Sequence, residues 1–188
     1  AGHDAMSYPS TVELFQRALS ANQLKLRMRF GMVMIPGVGA YSPKHHLERP
    51  ITEADVRPYV HLRDNLKGPV LKVTSIKGVL DGTVDALTAS MDDPYVGTNI
   101  SGIPFWESGE FNNTVALYDR LGFQLMIHAI GDRAISQALD AFAYAAKVNG
   151  TTGRRHRIEH AEVPKLADLR RMHDLGVIVV TTPMFANP

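Results

Sequence analysis

The sequence predicts an α/β fold in which parallel strands are covered by helices. Segments of helical and strand periodicity alternate along almost all of the 188 residues, the pattern of β-strands joined by helical crossovers. No GxGxxG follows a strand and no GxxxxGK[ST] is present, so the fingerprints of an open nucleotide-binding sheet are missing. Three strands end in Lys or His, at the edge where parallel α/β folds gather ligands. Two architectures satisfy these observations: an open doubly wound sheet and part of an eight-stranded barrel. A complete barrel needs about 250 residues, more than this chain has.

The first helix is expected over Thr11 to Gln23, where Val12, Phe15 and Leu19 recur at helical spacing and Ser10 offers a cap. Leu24 to Met34 follows as a strand, and the polar, turn-rich GVGAYSPKHHLERP as an excursion loop. Thr52, with Asp55 three residues on, opens a second helix through a near capping box, and Pro58 is placed to shorten or kink it. Pro69 to Gly82 is a strand running into a loop. Gly82 to Glu110 has little periodicity and is long for a connection, a frequent mark of a functional loop. A helix from Phe111 ends at Gly122, Gln124 to Ile130 is a strand, and Asp132 opens a helix that stops before Gly150. His156 to Glu162 is the fourth strand. Val163 to Gly176 contains a helix with Leu166, Leu169 and Met172 on one face, and the fifth strand closes the sequence from Gly176 to Pro183.

The chain has a net charge of +1 and is 45% hydrophobic and 21% charged. That balance points neither to nucleic acid nor to an anionic membrane as partner. It contains no cysteine, which removes disulfides and thiol chemistry and fits a cytoplasmic, reducing compartment. No apolar segment is long enough to span a bilayer. The start, AGHDAMSYPS, lacks the basic and apolar parts of a signal peptide and an initiator methionine, and resembles the interior of a protein. One domain over residues 1–188 is expected.

Lys77, His128 and His160 carry the chemistry. Strand alternation groups Val73 and Ser75 with Lys77, Met126 with His128, and His156 and Ile158 with His160. Neutral imidazoles from adjacent strands can share one zinc ion. A lysine ammonium offers only donors, so Lys77 joins such a site only after carboxylation by carbon dioxide, which would let it bridge two ions. Each residue also has an ordinary structural reading, as a histidine satisfied by a carbonyl or carboxylate, or a lysine that is solvated or ion-paired. His45 and His46 are adjacent and point apart, as loop surface. Arg154 to Arg157 reads as a solvated strand entry rather than an anion site. Asp132 is expected to stabilise the start of its helix, and Arg133 to pair with an acid that the sequence does not name.

HAIGDRA, from His128 to Ala134, with a helix behind it, RIEHAE one unit later and IKGVLDGTVDALTASMDDPY one unit earlier resemble the metal-dependent amidohydrolases. The similarity is to amidohydrolase family 3, the branch containing N-substituted formamide deformylases. It runs over nearly the whole chain, from AGHDAMSY, which resembles the end of that family's second barrel strand. The resemblance implies a partial TIM (β/α)8 barrel, about strands three to seven, with outer helices. It implies Lys77, four residues before Asp81, as the carboxylated bridging ligand in preference to Lys72. His128 and His160 become the strand-five and strand-six ligands on the more buried of two divalent metals, zinc by preference. Asp81, Gly82 and Thr88 fall in the loop that supports the site, and Asp132 and Arg133 in the element after the histidine. The implied reaction is hydrolysis of a carbon–nitrogen bond, other than a peptide bond, in a small amide-like substrate.

The sequence departs from that family in three places. No HxH pair precedes Lys77 in a suitable strand, the catalytic aspartate after strand eight is missing, and Thr182 stands where SxQP would place glutamine before Pro183. The 188 residues are therefore expected to be an internal piece of a larger hydrolase. Alone, the piece is expected to be inactive, with an incomplete metal site, an unmodified Lys77 and open barrel edges that invite self-association. Substrate-selecting side chains are expected in Gly37 to Pro50 and Asp92 to Gly109, with Phe105 and Trp106 as an apolar wall. Two other readings stand beside this one: a Schiff-base lyase or isomerase using Lys77 as the amine, with His128 or His160 handling protons, and a non-catalytic α/β module.

Overall fold

A computed structural model describes residues 1–36, 49–150 and 152–182. Its elements follow in the order β1 (Gly2–Ser7), α1 (Pro9–Ser20), β2 (Met28–Val33), α2 (Glu53–Asn65), β3 (Leu71–Val79), α3 (Ser108–Arg120), β4 (Gln124–Ala129), α4 (Asp132–Asn149), β5 (Arg157–His160), α5 (Leu166–Asp174) and β6 (Ile178–Val180). The six strands form one sheet in sequence order, and every neighbouring pair is parallel. A doubly wound sheet reverses its strand order at a switch point, and this sheet never does. Crossovers of one hand between successive parallel strands place all the helices on one face. The fold is thus an open, curled part of a (β/α) barrel, as the sequence predicted, with one strand more than periodicity showed. That strand is β1, whose six residues include His3 and Asp4 and form no apolar stripe.

The core lies between the helix-facing side of the sheet and the helices. Ile76, Leu125, Ile127 and Ile158 share one apolar cluster with Val115, Ile135, Leu139 and Phe142, and all are essentially excluded from water. Each such side chain contributes about 1.5–3 kcal/mol by burial. Trp106 belongs to this core and not to an apolar substrate wall. Its Nε1 donates to the Val79 carbonyl at 3.1 Å and its ring packs edge-on to Phe111, because a buried indole N–H needs an acceptor and β3 offers one. Phe105 is partly buried against the same cluster.

Local details differ from the sequence reading where tertiary partners intervene. Helix α1 starts at Pro9 with Tyr8 as its cap, ahead of Ser10, since proline suits the first helical position. In α2 the box forms as expected: Asp55 accepts from the Thr52 backbone N–H and hydroxyl, both at 2.8 Å. The helix then continues through Pro58 to Asn65. Leu166 and Leu169 on α5 are exposed, while Asp168 and Met172 are buried. Asp168 accepts from Ser136 of α4 at 2.5 Å and from Arg171 at 2.9 Å, so polar bonds to α4 set the face that α5 buries. The Arg154–Arg157 entry to β5 is not a solvated run. His156 is buried, accepts the Leu125 N–H at Nδ1, and lies 3.3 Å from the buried Asp119, which Arg154 also reaches at 3.0 Å. His45, His46, most of the Gly37 to Pro50 loop and Pro183 lie outside the described residues. No described helix is long and apolar enough to cross a membrane.

Candidate functional site

Register decides which side chains look away from the helices. Lys77 pairs with Met126, Val79 with His128, Met126 with Arg157 and His128 with Glu159, and paired residues in a sheet share a face. Lys77, Met126, His128, Arg157 and Glu159 therefore lie on the concave side. Lys77 is 4% exposed, whereas Lys72, five residues earlier on β3, is exposed.

By the same alternation His160 belongs on the opposite face with His156 and Ile158, the grouping the sequence suggested. The structure separates it from them. A φ of +77° at His160 and +48° at Ala161 breaks the strand at its last residue. The His160 ring then lies edge-on to His128, with centroids 4.6 Å apart. Left-handed backbone costs a residue with a Cβ about 1–2 kcal/mol, and such strain collects at functional sites. The Ala161 N–H holds the turn in place by donating to the Ala129 carbonyl at 3.2 Å.

Burial sets the charge of these groups. It pushes Lys77 down to about 8, with Glu159 opposing the shift and Arg157 adding to it. It pushes His128 down to about 4 and lowers His160, and the Lys77 charge acts in the same direction on both rings. Both imidazoles are thus neutral at pH 7, the form that ligates metals. They line a cleft of about 800 Å³ together with Thr83, Val84, Asp85, Ile130, Glu162 and Val163.

Behind His128 sits Asp81, wholly buried. Its Oδ2 accepts the N–H groups of Ser90 and Gly131 at 2.9 and 2.8 Å, and its Oδ1 accepts that of Ile130 at 3.1 Å. Burial raises this carboxyl to about 6, with the three N–H groups pulling the other way. Gly82 is required by close approach, since a Cβ there would stand 2.0 Å from Thr88 Oγ1. Asp132 and Arg133 do not line the cleft. Asp132 Oδ1 accepts the Asp92 N–H at 2.8 Å, and the acid that Arg133 pairs with is Asp92, at 3.4 Å. Lys165 also pairs with Asp92, so these residues fasten the β3–α3 loop to α4 and α5.

Among the described residues, no group of three or more His, Cys, Asp or Glu side chains is arranged to hold a metal ion. Asp81 is committed to backbone N–H groups, and Glu159 to Arg157 at 2.8 Å. Two neutral imidazoles side by side with a buried amine next to them fit one part of a metal centre and leave its other donors unsupplied. Arg157 and Glu159 were missed as interior residues because strict alternation from His160 puts them on the wrong face. Only the left-handed turn, invisible in spacing, reverses that assignment.

A model of the amidohydrolase family matches residues 1–187. The chain belongs to the amidohydrolase family. The chain is 31% identical over 122 residues, 62% of its length, to Protein LONG AFTER FAR-RED 3 of Arabidopsis thaliana, of which it covers 21%. It is 27% identical over 184 residues, 97% of its length, to the N-substituted formamide deformylase of Arthrobacter pascens, of which it covers 31%. An uncharacterized metal-dependent hydrolase from Pyrococcus furiosus shares its fold with a TM-score of 0.72 at 22% identity, over 97% of this chain and 34% of that one. The chain thus spans between about a fifth and a third of the length of these relatives. A metal is the general cofactor that membership of this hydrolase family implies.

Proposed function

We propose that this chain carries part of the metal centre of a hydrolase that cleaves carbon–nitrogen bonds other than peptide bonds, with amides and N-substituted formamides as the substrate class. The observation that carries this reading is the meeting of His128 and His160 in one cleft at the carboxyl edge of the sheet, beside the buried Lys77. Similarity to a formamide deformylase over almost the whole chain supports the bond class.

Lys77, His128 and His160 would hold the metal, zinc by donor type, with Lys77 contributing only as a carboxylate. When bound there, a divalent ion supplies Lewis acidity toward a carbonyl oxygen and lowers the pKa of a water. The chain's own residues bind and orient. Burial keeps both imidazoles as lone-pair donors, and it brings the Lys77 amine closer to its neutral form. The neutral amine is the form that adds to carbon dioxide, with an N–C bond made and one proton released. Val84, Ile130 and Val163 form apolar walls around the reacting group, while Asp85 and Glu162 add a polar rim. We assign the general base and the remaining donors to residues outside these 188. The chain alone is then a single incomplete barrel domain, inactive, with Lys77 unmodified, and its edge strands β1 and β6 favour self-association.

Amine release from an N-substituted formamide tests this reading. The isolated chain with zinc should release none above buffer, and release that disappears in His160→Ala would contradict its incompleteness. A longer enzyme containing these residues should release amine only with metal, and His160→Ala should abolish it. The lowered Lys77 amine also suits a Schiff-base lyase, and borohydride trapping of a substrate on Lys77 without metal would favour that alternative.

A further inference from the structure

The His128 ring ends in a nest of oxygen atoms. Its Nε2 lies 3.0 Å from the Gly82 carbonyl and 3.5 Å from Asp81 Oδ1. Neither oxygen is free to turn away. The Gly82 N–H donates to the Thr88 carbonyl at 3.1 Å, and the glycine sits flush against the Thr88 side chain. The Asp81 carboxylate is held by three N–H groups from two separate segments, Ser90 on the β3–α3 loop and Ile130 and Gly131 on the turn into α4.

We propose that Asp81 is a positioning residue that fixes the tautomer of His128, keeping the proton on Nε2 and the lone pair on Nδ1. A neutral imidazole carries one N–H and one acceptor nitrogen. A nitrogen facing a carbonyl and a carboxylate oxygen must be the one with the proton. Asp81 acts twice, as a second oxygen 3.5 Å from Nε2 beside the Gly82 acceptor and as the knot that joins the β3–α3 loop to the α4 turn, so that the ring cannot swing from Gly82. Orientation of a ring by its distal N–H is how protein groups tune an imidazole that serves as a ligand. The tautomer is a property of the chain without metal. Only its consequence for zinc rests on the proposed function.

Asparagine at position 81 is the informative change. Two short bonds converge on Oδ2 and one longer bond on Oδ1, so the amide oxygen takes the Oδ2 place and the NH2 group takes the Oδ1 place. A donor then faces Nε2 and favours the other tautomer. With histidine labelled by nitrogen-15 in the metal-free chain, long-range ring correlations should show wild-type His128 protonated on Nε2. Asp81→Asn should move a measurable fraction of the proton to Nδ1 and weaken zinc binding by about 10-fold or more. A wild-type ring protonated on Nδ1, or an unchanged tautomer in folded Asp81→Asn, would overturn the proposal. Should that variant fail to fold, His128→Gln and His128→Asn decide. Glutamine can place its N–H where Nε2–H was and keep the Gly82 bond, so it should melt higher than asparagine; equal or reversed melting temperatures would count against the proposal. An Nε2–H ring in a chain that takes up no zinc would leave this inference standing, and no uptake by a longer enzyme containing these residues would sink the metal centre alone.

Discussion

His128 and His156 are both buried and both held near 4 by that burial, yet they face opposite sides of the sheet, one toward the cleft and one toward Asp119. In the unfolded chain each ring takes up a proton near pH 6.5, whereas in the folded protein it does so only near 4. Their contribution to stability is complete above pH 6.5 and is lost as the pH falls from 6.5 to 4. Asp81 works in the opposite sense. Its carboxyl is raised from 3.8 to about 6, so its contribution grows as the pH falls through that interval and offsets about one ring. At about 1.4 kcal/mol per pKa unit, urea unfolding should show a net loss on the order of 3 kcal/mol between pH 7 and pH 4.5. A transition midpoint that does not move would contradict the burial of these rings. Lys77 over Lys72 was suggested at this scale by its place four residues before Asp81 in the family motif, and Lys77 is the buried one of the two. The face of His160 was not, because a left-handed φ at a histidine leaves no trace in spacing.

At the scale of elements, the turn from β4 into α4 depends on Gly131. A Cβ there would stand 2.1 Å from the Ser90 carbonyl oxygen, a backbone atom that Asp81 and α4 hold in place. Gly131→Ala should therefore lose about 2–3 kcal/mol and loosen the β3–α3 loop. Gly109, in the first turn of α3, has open space where its Cβ would go, and Gly109→Ala should gain up to about 1 kcal/mol. Denaturant midpoints of the two variants check both signs, and a Gly131→Ala chain as stable as wild type would refute the close packing. Elements with a strong local signal were readable in the sequence: HAIGDRA gave strand, break and helix, and Thr52 with Asp55 gave the start of α2. Elements governed by distant partners were not. Short, polar β1 has no strand periodicity of its own and was suggested only by resemblance, α5 turns its leucines outward to satisfy Asp168, and Trp106 turns inward to reach the Val79 carbonyl.

At the scale of the molecule, six parallel strands in unbroken sequence order distinguish a barrel wall from a doubly wound sheet; the alternation of elements made parallel strands under helices readable, and only the motif resemblance pointed to the barrel. The site was readable only in part, since its residues come from three strands and one of them reaches it through a strained turn. The wall brings two neutral imidazoles together and gives them one buried neighbour, Lys77. That gathering, rather than any single residue, makes the site. Zinc titration of the metal-stripped chain, followed through the ring resonances of His128 and His160, tests it most directly. One zinc per chain is expected, with both rings shifting together and the event lost in the His128→Ala/His160→Ala double variant. Zinc uptake that leaves either ring unmoved or survives in the double variant would contradict it, as would a longer enzyme containing these residues that takes up no zinc.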